Sequence, residues 1–247
     1  MTDQKISKQL KDEITSWIKN WFEENARGRK AVIGITGGRD SAIASAMFVE
    51  ALGNDEVIGI ILPYSHTDNI DDALYIVKHL DIEFHVVHIR HSYNELEAEL
   101  SEEIGPLSET GKSAMQERIK MAVLAGFASK KKAIQVNTSN YSEDWLGYYT
   151  RYGDISPFLE MTISEVGELG KYLDFPENFI EQLPSDGLWG REDEEHLGFH
   201  YIELDDYLRN GVEPIPETKE KMDYLHENSF AKRMPLEVFP FGDDGDI

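Results

Sequence analysis

The stretches AVIGI, VIGIILP, EFHVVHI and AIQVN, at residues 31–35, 57–63, 83–89 and 133–137, are short apolar runs rich in β-branched residues. Helix-compatible lengths of chain separate them. Near-continuous apolarity marks strands buried on both faces, so the alternation predicts an α/β fold: a doubly wound, mostly parallel sheet with helices on both faces. Between the strands, NIDDALYIVKHL sets Ile70, Ala73, Leu74, Val77 and Leu80 on one helical face behind Asp68 as N-cap, and MQERIKMAVLAGFASK is helical as well. Residues 1–28 read as an N-terminal amphipathic helix carrying Ile6, Leu10, Ile14, Trp17, Ile18, Trp21 and Phe22 at helical spacing. The 247 residues fit a single domain, 1–247, whose strands stop beyond about residue 153 and whose stretch 242–247 reads as a frayed acidic tail.

Composition narrows the function classes. The net charge of −23 disfavours a nucleic-acid partner, because neutralising phosphates needs a Lys/Arg face that this chain can hardly supply. No segment approaches the roughly 18 consecutive apolar residues of a membrane span, and MTDQKISKQL lacks the basic start and apolar core of a signal peptide. With no cysteine, disulfides, thiolate metal sites and thiol nucleophiles are excluded, and a cytoplasmic location is the expectation. An anionic substrate would need the few basic residues, and divalent cations, gathered at one place.

The turn Thr36-Gly37-Gly38-Arg39-Asp40-Ser41 follows the first strand, where open parallel sheets bind their ligands. Two adjacent glycines let backbone approach a ligand closely, and the helix after them points amides and a positive dipole end at the same spot, which suits an anion. The turn matches neither G-x-x-x-x-G-K-[ST] nor G-x-G-x-x-G. Asp40 beside a phosphate is repulsive unless a divalent cation lies between them.

This stretch, VIGITGGRDSAIASAM, resembles the S-G-G-x-D-S pyrophosphate loop of the adenine nucleotide α-hydrolase families, which split ATP to AMP and pyrophosphate. Two later stretches, NTSNYSEDWLGYYTRYGD and LPSDGLWGREDEEHLGFHYIELDDYL, resemble segments of the NAD synthetases, and the likeness runs in order from about Ala31 to Phe239. The resemblance implies that the nicotinate carboxylate of deamido-NAD is adenylated by Mg-ATP and that ammonia then displaces AMP. It implies a phosphate cradle of Gly34, Thr36, Gly37, Gly38, Arg39, Asp40 and Ser41, with Thr36 and Asp40 as the catalytic pair and Mg²⁺ shared by Asp40 and Glu143. Thr138 and Ser185 match ATP contacts, and Arg118, Arg151 and Lys232 match basic positions on the acid side. A homodimer and the short, ammonia-dependent type, or a separate subunit as ammonia source, are implied too.

Several positions depart from the pattern. Ala114 stands where an Asn is expected, Tyr141 replaces the Lys of N-K-S-E, the loop after Asp154 is shorter, Ala231 replaces a His, and Ile163 takes the place of a phosphate-contacting Lys. Losing such a cation costs a few kcal/mol of charge stabilisation, which puts activity in question unless Lys171 or Lys112 reaches the phosphates. Three classes of function stay open: an NAD synthetase, a related ligase amidating another acid such as nicotinate mononucleotide, and a nucleotide-binding homologue without turnover. Among the remaining signals, His85 and His88 would point to opposite faces of a strand, which argues against zinc. Tyr148, Tyr149 and Tyr152 are candidates to stack on a base or on nicotinate, and Trp145 and Trp189 read as packing residues.

Overall fold

In the computed structural model, described for residues 6–65, 69–149, 151–180 and 193–234, the apolar runs form β1 (Ala31–Gly34), β2 (Val57–Ile61), β3 (Glu83–Val86) and β4 (Ile134–Val136). All pairs are parallel, in the order β3-β2-β1-β4. Successive residues of each strand serve opposite faces: Ala31, Ile33, Val57 and Ile61 enter one core, while Val32, Ile58 and Ile60 enter another with Leu124. Strands β1 and β2 are therefore buried on both faces, as their unbroken apolar runs require, whereas the edge strand β3 is not: Phe84 and Val86 are 37% and 39% exposed despite its apolar run.

The first face is covered by α1 (Lys8–Asn25), α2 (Arg39–Leu52) and α3 (Ile70–His79), through residues such as Ile18, Met47, Phe48 and Ile76. Ser7 caps α1, accepting the Leu10 N–H at 3.2 Å, and α1 lies on α2. Ile18 and Phe22 are buried there, whereas Trp17 stays 44% exposed, so the protein itself covers only part of the N-terminal apolar face. Helix α3 begins behind Asn69, and Asp68 lies outside the described residues. On the other face run α4 (Arg90–Ile104) and α5 (Glu109–Lys131). Strand β3 ends at Val86, so His88 lies beyond it, and His85 instead bonds Glu83 at 3.0 Å.

After β4 come α6 (Tyr141–Leu146), α7 (Ile163–Gly170), α8 (Glu177–Ile180), α9 (Asp193–Leu197), α10 (Tyr201–Asn210), α11 (Pro216–Asn228) and α12 (Phe230–Arg233). An isolated parallel bridge, Val136 to Ile155, is the last sheet contact among the described residues. Helices α6, α7, α10 and α11 enclose a separate apolar cluster containing Leu146, Ile163, Tyr201, Leu204 and Met222. Trp145 packs at its edge, stacked 4.0 Å from His226, as expected of a packing residue, while Trp189 lies outside the described residues. No described helix is long and apolar enough to cross a membrane.

Candidate active site

The strand order places the switch of winding direction between β1 and β4: the chain moves from β1 to β2 to β3, then returns to the far side of β1. Ligands of open parallel sheets sit beyond the strand ends at such a point. The Thr36–Ser41 turn leaves β1 there, and Asn137 and Thr138 leave β4 beside it. A cleft of about 700 Å³ opens over both.

The turn is braced internally. Thr36 Oγ1 accepts the Gly38 N–H at 3.1 Å and lies 3.1 Å from Ser41 Oγ, and that hydroxyl donates to the Gly38 carbonyl at 3.0 Å. Gly37 has φ +86°, and a Cβ there would lie 2.4 Å from the Asn69 carbonyl oxygen at the start of α3. Only glycine satisfies both the dihedral and the close approach. Helix α2 starts immediately after, with Gly38 at its N-cap, so its first amides face the cleft region.

Asp40 is held from both sides. Arg39 Nε donates to Asp40 Oδ1 at 3.1 Å, and Asn140 Nδ2 donates to Asp40 Oδ2 at 2.8 Å. Fully buried Asn140 also caps α6: its Oδ1 accepts the Glu143 N–H at 3.0 Å, and its own N–H donates to Glu143 Oε2 at 3.2 Å. One asparagine thus ties together the two carboxylates expected to share Mg²⁺. Among the described residues no group of three or more acidic or histidine side chains could hold a metal alone. Two carboxylates nonetheless fit Mg²⁺, which commonly takes one or two carboxylates and completes its shell with phosphate oxygens and water.

Around this centre the cleft is lined by Thr138, Arg118, Lys232, Tyr148, Tyr149 and Tyr152 among others. The Thr138 N–H donates to the Tyr152 hydroxyl at 3.2 Å, and burial pushes that phenol's pKa up. Burial chiefly, and then the charge of Arg118, lower the pKa of Lys232, whose Nζ donates to the Gly147 carbonyl at 2.9 Å. Arg118 donates to the Ala114 carbonyl at 3.0 Å, one turn back.

Other expected residues fall elsewhere. Arg151 is not among the cleft-lining residues; its guanidinium donates to the Met234 carbonyl at 2.9 Å. Ser185 lies outside the described residues. Lys171 pairs with Glu168 and Lys112 with Glu109 and Glu97, and neither lines the cleft. Ile163 does line it, at 3% exposure; its N–H donates to Ser142 Oγ at 3.0 Å and its carbonyl accepts from Arg39 Nη2 at 2.8 Å. Two residues that escaped the sequence reading bear on the site: Lys120 lines the cleft, and Asn140 is buried behind it. Lys120, paired with Glu117 at 2.8 Å, is one helical surface lysine among many, and Asn140 looks like an ordinary cap. Asn140 had a signal in its capping-box spacing to Glu143, but nothing local pointed to Asp40.

The fold and site define a class: a protein of the α/β nucleotide-binding fold, with a glycine-rich turn and a fixed carboxylate at the switch point of its sheet. Within that class, the NAD synthase family model matches residues 10–236, and the chain belongs to this family. An NH3-dependent NAD(+) synthetase of Finegoldia magna is 34% identical over 94% of this chain and 96% of its own length. The structure called NMN synthetase from Francisella tularensis is 31% identical, with a TM-score of 0.81 over 94% of this chain and 99% of that one. The NH3-dependent NAD synthetase of Campylobacter jejuni, 22% identical, shares the fold with a TM-score of 0.74 over 95% of this chain and 100% of that one.

Proposed function

We propose that this protein joins ammonia to the nicotinate carboxylate of deamido-NAD at the expense of ATP, giving NAD, AMP and pyrophosphate. The carrying observation is the Asp40 carboxylate, fixed by Arg39 and Asn140 inside a glycine-rich anion cradle at the sheet's switch point. In the first step a carboxylate oxygen bonds to the α-phosphorus of ATP as the bond to pyrophosphate breaks. Ammonia then bonds to the acyl carbon, AMP leaves with the electron pair of the broken C–O bond, and a proton is released. A carboxylate becomes a usable electrophile only once its oxygen belongs to such a leaving group.

The turn from Gly34 to Ser41 would receive the departing phosphates, with Thr36 and Ser41 hydroxyls and backbone amides as donors. Thr138 and Ser185 would contact ATP, and Arg118 and Lys232 the acid. Asp40 and Glu143 would hold Mg²⁺, whose contribution is to offset charge on the phosphates. Ile163 withholds a cation from this wall, so we take it to slow turnover rather than to prevent it, with Lys120 the additional positive charge lining the cleft. A homodimer and a cytoplasmic setting belong to the same reading; sedimentation at micromolar concentration checks the dimer.

A second acid, nicotinate mononucleotide, is favoured by two observations. The Francisella tularensis protein is named for the amide of that mononucleotide. In addition, Arg151 donates to the carbonyls of Arg233 and Met234 and does not line the cleft, leaving fewer cations for a dinucleotide with two phosphates. Pyrophosphate release with Mg-ATP and ammonium, measured with deamido-NAD, nicotinate mononucleotide and no acid, separates the readings. Release with deamido-NAD and formation of NAD supports the first; release only with the mononucleotide supports the second. No release with either acid, despite ATP binding, sinks both and leaves a nucleotide-binding protein without turnover.

A further inference from the structure

We propose that Arg39 is a positioning residue: a strut between α2 and α7 that orients the Asp40 carboxylate, instead of a ligand of the nucleotide phosphates. The proposal rests on the reading of Asp40 as a carboxylate that holds the divalent cation.

Arg39 is the first residue of α2, yet its side chain is only 13% exposed. Arg39 lines the cleft, but two of its guanidinium nitrogens are already engaged by the protein. Nε donates to Asp40 Oδ1 at 3.1 Å, and Nη2 donates to the Ile163 carbonyl at 2.8 Å, across 124 residues of sequence. The planar fork of a guanidinium fixes both bonds at once, which a flexible ammonium cannot do. The space is made by Gly167 in α7: a Cβ there would lie 3.0 Å from Nη1 and 3.2 Å from Cζ. A hydrogen at position 167 is thus the groove in which the guanidinium lies.

The two bonds close a ring. Asp40 Oδ2 accepts from Asn140, the cap of α6; two residues on, Ser142 Oγ accepts the Ile163 N–H at 3.0 Å and donates to buried Asp205 at 2.6 Å. The Ile163 carbonyl returns to Arg39. The ring therefore links the N-termini of α2, α6 and α7, and Arg39 is its one long cationic member. Each Asp40 oxygen takes one protein donor, and a carboxylate with about four lone-pair directions keeps capacity for a cation. Partners that orient a metal ligand without touching the metal commonly matter as much as its chemistry.

The sign of the effect decides the matter. A cation beside Asp40 that acted only through charge would weaken metal binding, so removing it would tighten the site. A strut does the reverse. The test is Mn²⁺ titration of the purified full chain with ATP and no acid, read by electron paramagnetic resonance of free Mn²⁺, together with the unfolding midpoint. Arg39→Ala should need about tenfold more Mn²⁺ for half occupancy. Arg39→Lys, able to reach one acceptor at a time, should recover part of the loss. Gly167→Ala should shift occupancy in the same direction with Arg39 itself intact. In pyrophosphate release the Mg²⁺ requirement should rise while KM for the acid stays put.

Tighter Mn²⁺ binding by Arg39→Ala would overturn the strut, as would unchanged metal binding with weakened ATP binding. Equal losses in all three variants that track a lowered unfolding midpoint would overturn it too. The titration needs neither acid nor turnover. A wild type that binds Mn²⁺ and ATP yet releases no pyrophosphate with any acid therefore defeats the synthetase reading, and the strut is still decided by the metal data.

Discussion

Asn140 is fully buried, and a buried amide is costly unless its donors and acceptor are used. Its side chain serves Glu143 and Asp40, and its backbone N–H serves Glu143 again. Asn140→Ala removes the cap of α6, worth about 1 kcal/mol, and a charge-assisted bond worth about 1.5 kcal/mol or more. Chemical denaturation should show a loss of about 2.5 kcal/mol or more, and activity should fall further than that loss explains. A loss of stability with unchanged kcat/KM would detach Asn140 from the site. Lys232 gives a pH signature. Its pKa is lowered from the ordinary 10.5, by burial first and by the Arg118 charge second. The unfolded chain thus binds the extra proton between the depressed pKa and 10.5, and this group's contribution to stability rises with pH through that window. Anion binding runs the other way: KM for the acid should rise with pH at values where an ordinary lysine is still charged. In Lys232→Met that alkaline limb should vanish while KM is raised at every pH, and a persisting limb would clear Lys232 of the role.

At the scale of elements, α7 shows how the site is anchored from behind. Thr162 caps it, and Asp205 of α10 accepts from Ser142 of α6 at 2.6 Å and from the Ser164 N–H at 2.9 Å. Removing that carboxyl by Asp205→Ala leaves a buried hydroxyl and an amide short of an acceptor, a cost of about 3 kcal/mol. Urea unfolding measures it, and a value near zero would mean that water replaces the carboxyl. The turn after β1 is equally determined. Gly37→Ala meets both the positive φ and the Asn69 carbonyl at 2.4 Å, so the turn must move away from α3. We expect ATP affinity, measured by calorimetry, to drop at least tenfold, on the order of 1.4 kcal/mol. The strands themselves were legible in the sequence from their short β-branched runs, and for β1 and β2 burial on both faces follows, but β3 carries the same kind of run at the sheet edge with Phe84 and Val86 exposed, because a run does not say which strand will lie outermost. Helix α6 was hidden by its length of six residues and by its dependence on the Asn140 cap, and the Asp68 cap proposed for α3 lies outside the described residues.

For the whole molecule, the charge of −23 is a standing repulsion that added salt screens. The unfolding midpoint should rise between about 0.05 and 0.5 M NaCl, where Debye screening shortens from over 10 Å to a few ångström. A falling midpoint would show that the Lys/Arg–carboxylate pairs among the described residues, typified by Lys11 with Glu50, outweigh the repulsion. Binding only to the folded state also stabilises: Mg-ATP at about a hundredfold its Kd contributes about 2.7 kcal/mol, or roughly 5–10 °C for a chain of this size. A midpoint indifferent to Mg-ATP would contradict the proposed function at its first step. The sequence by itself determined the sheet, the glycine turn after β1 and the family, because buried runs and backbone-dictated turns are specified by neighbours within a few positions. Only the tertiary structure decided that Asn140 meets Asp40 across 100 residues, that Arg39 meets Ile163 across 124, and that Arg151 bonds the Met234 carbonyl and does not line the cleft. Those choices depend on which helix N-termini the packed sheet brings together, and no local stretch of sequence encodes that meeting.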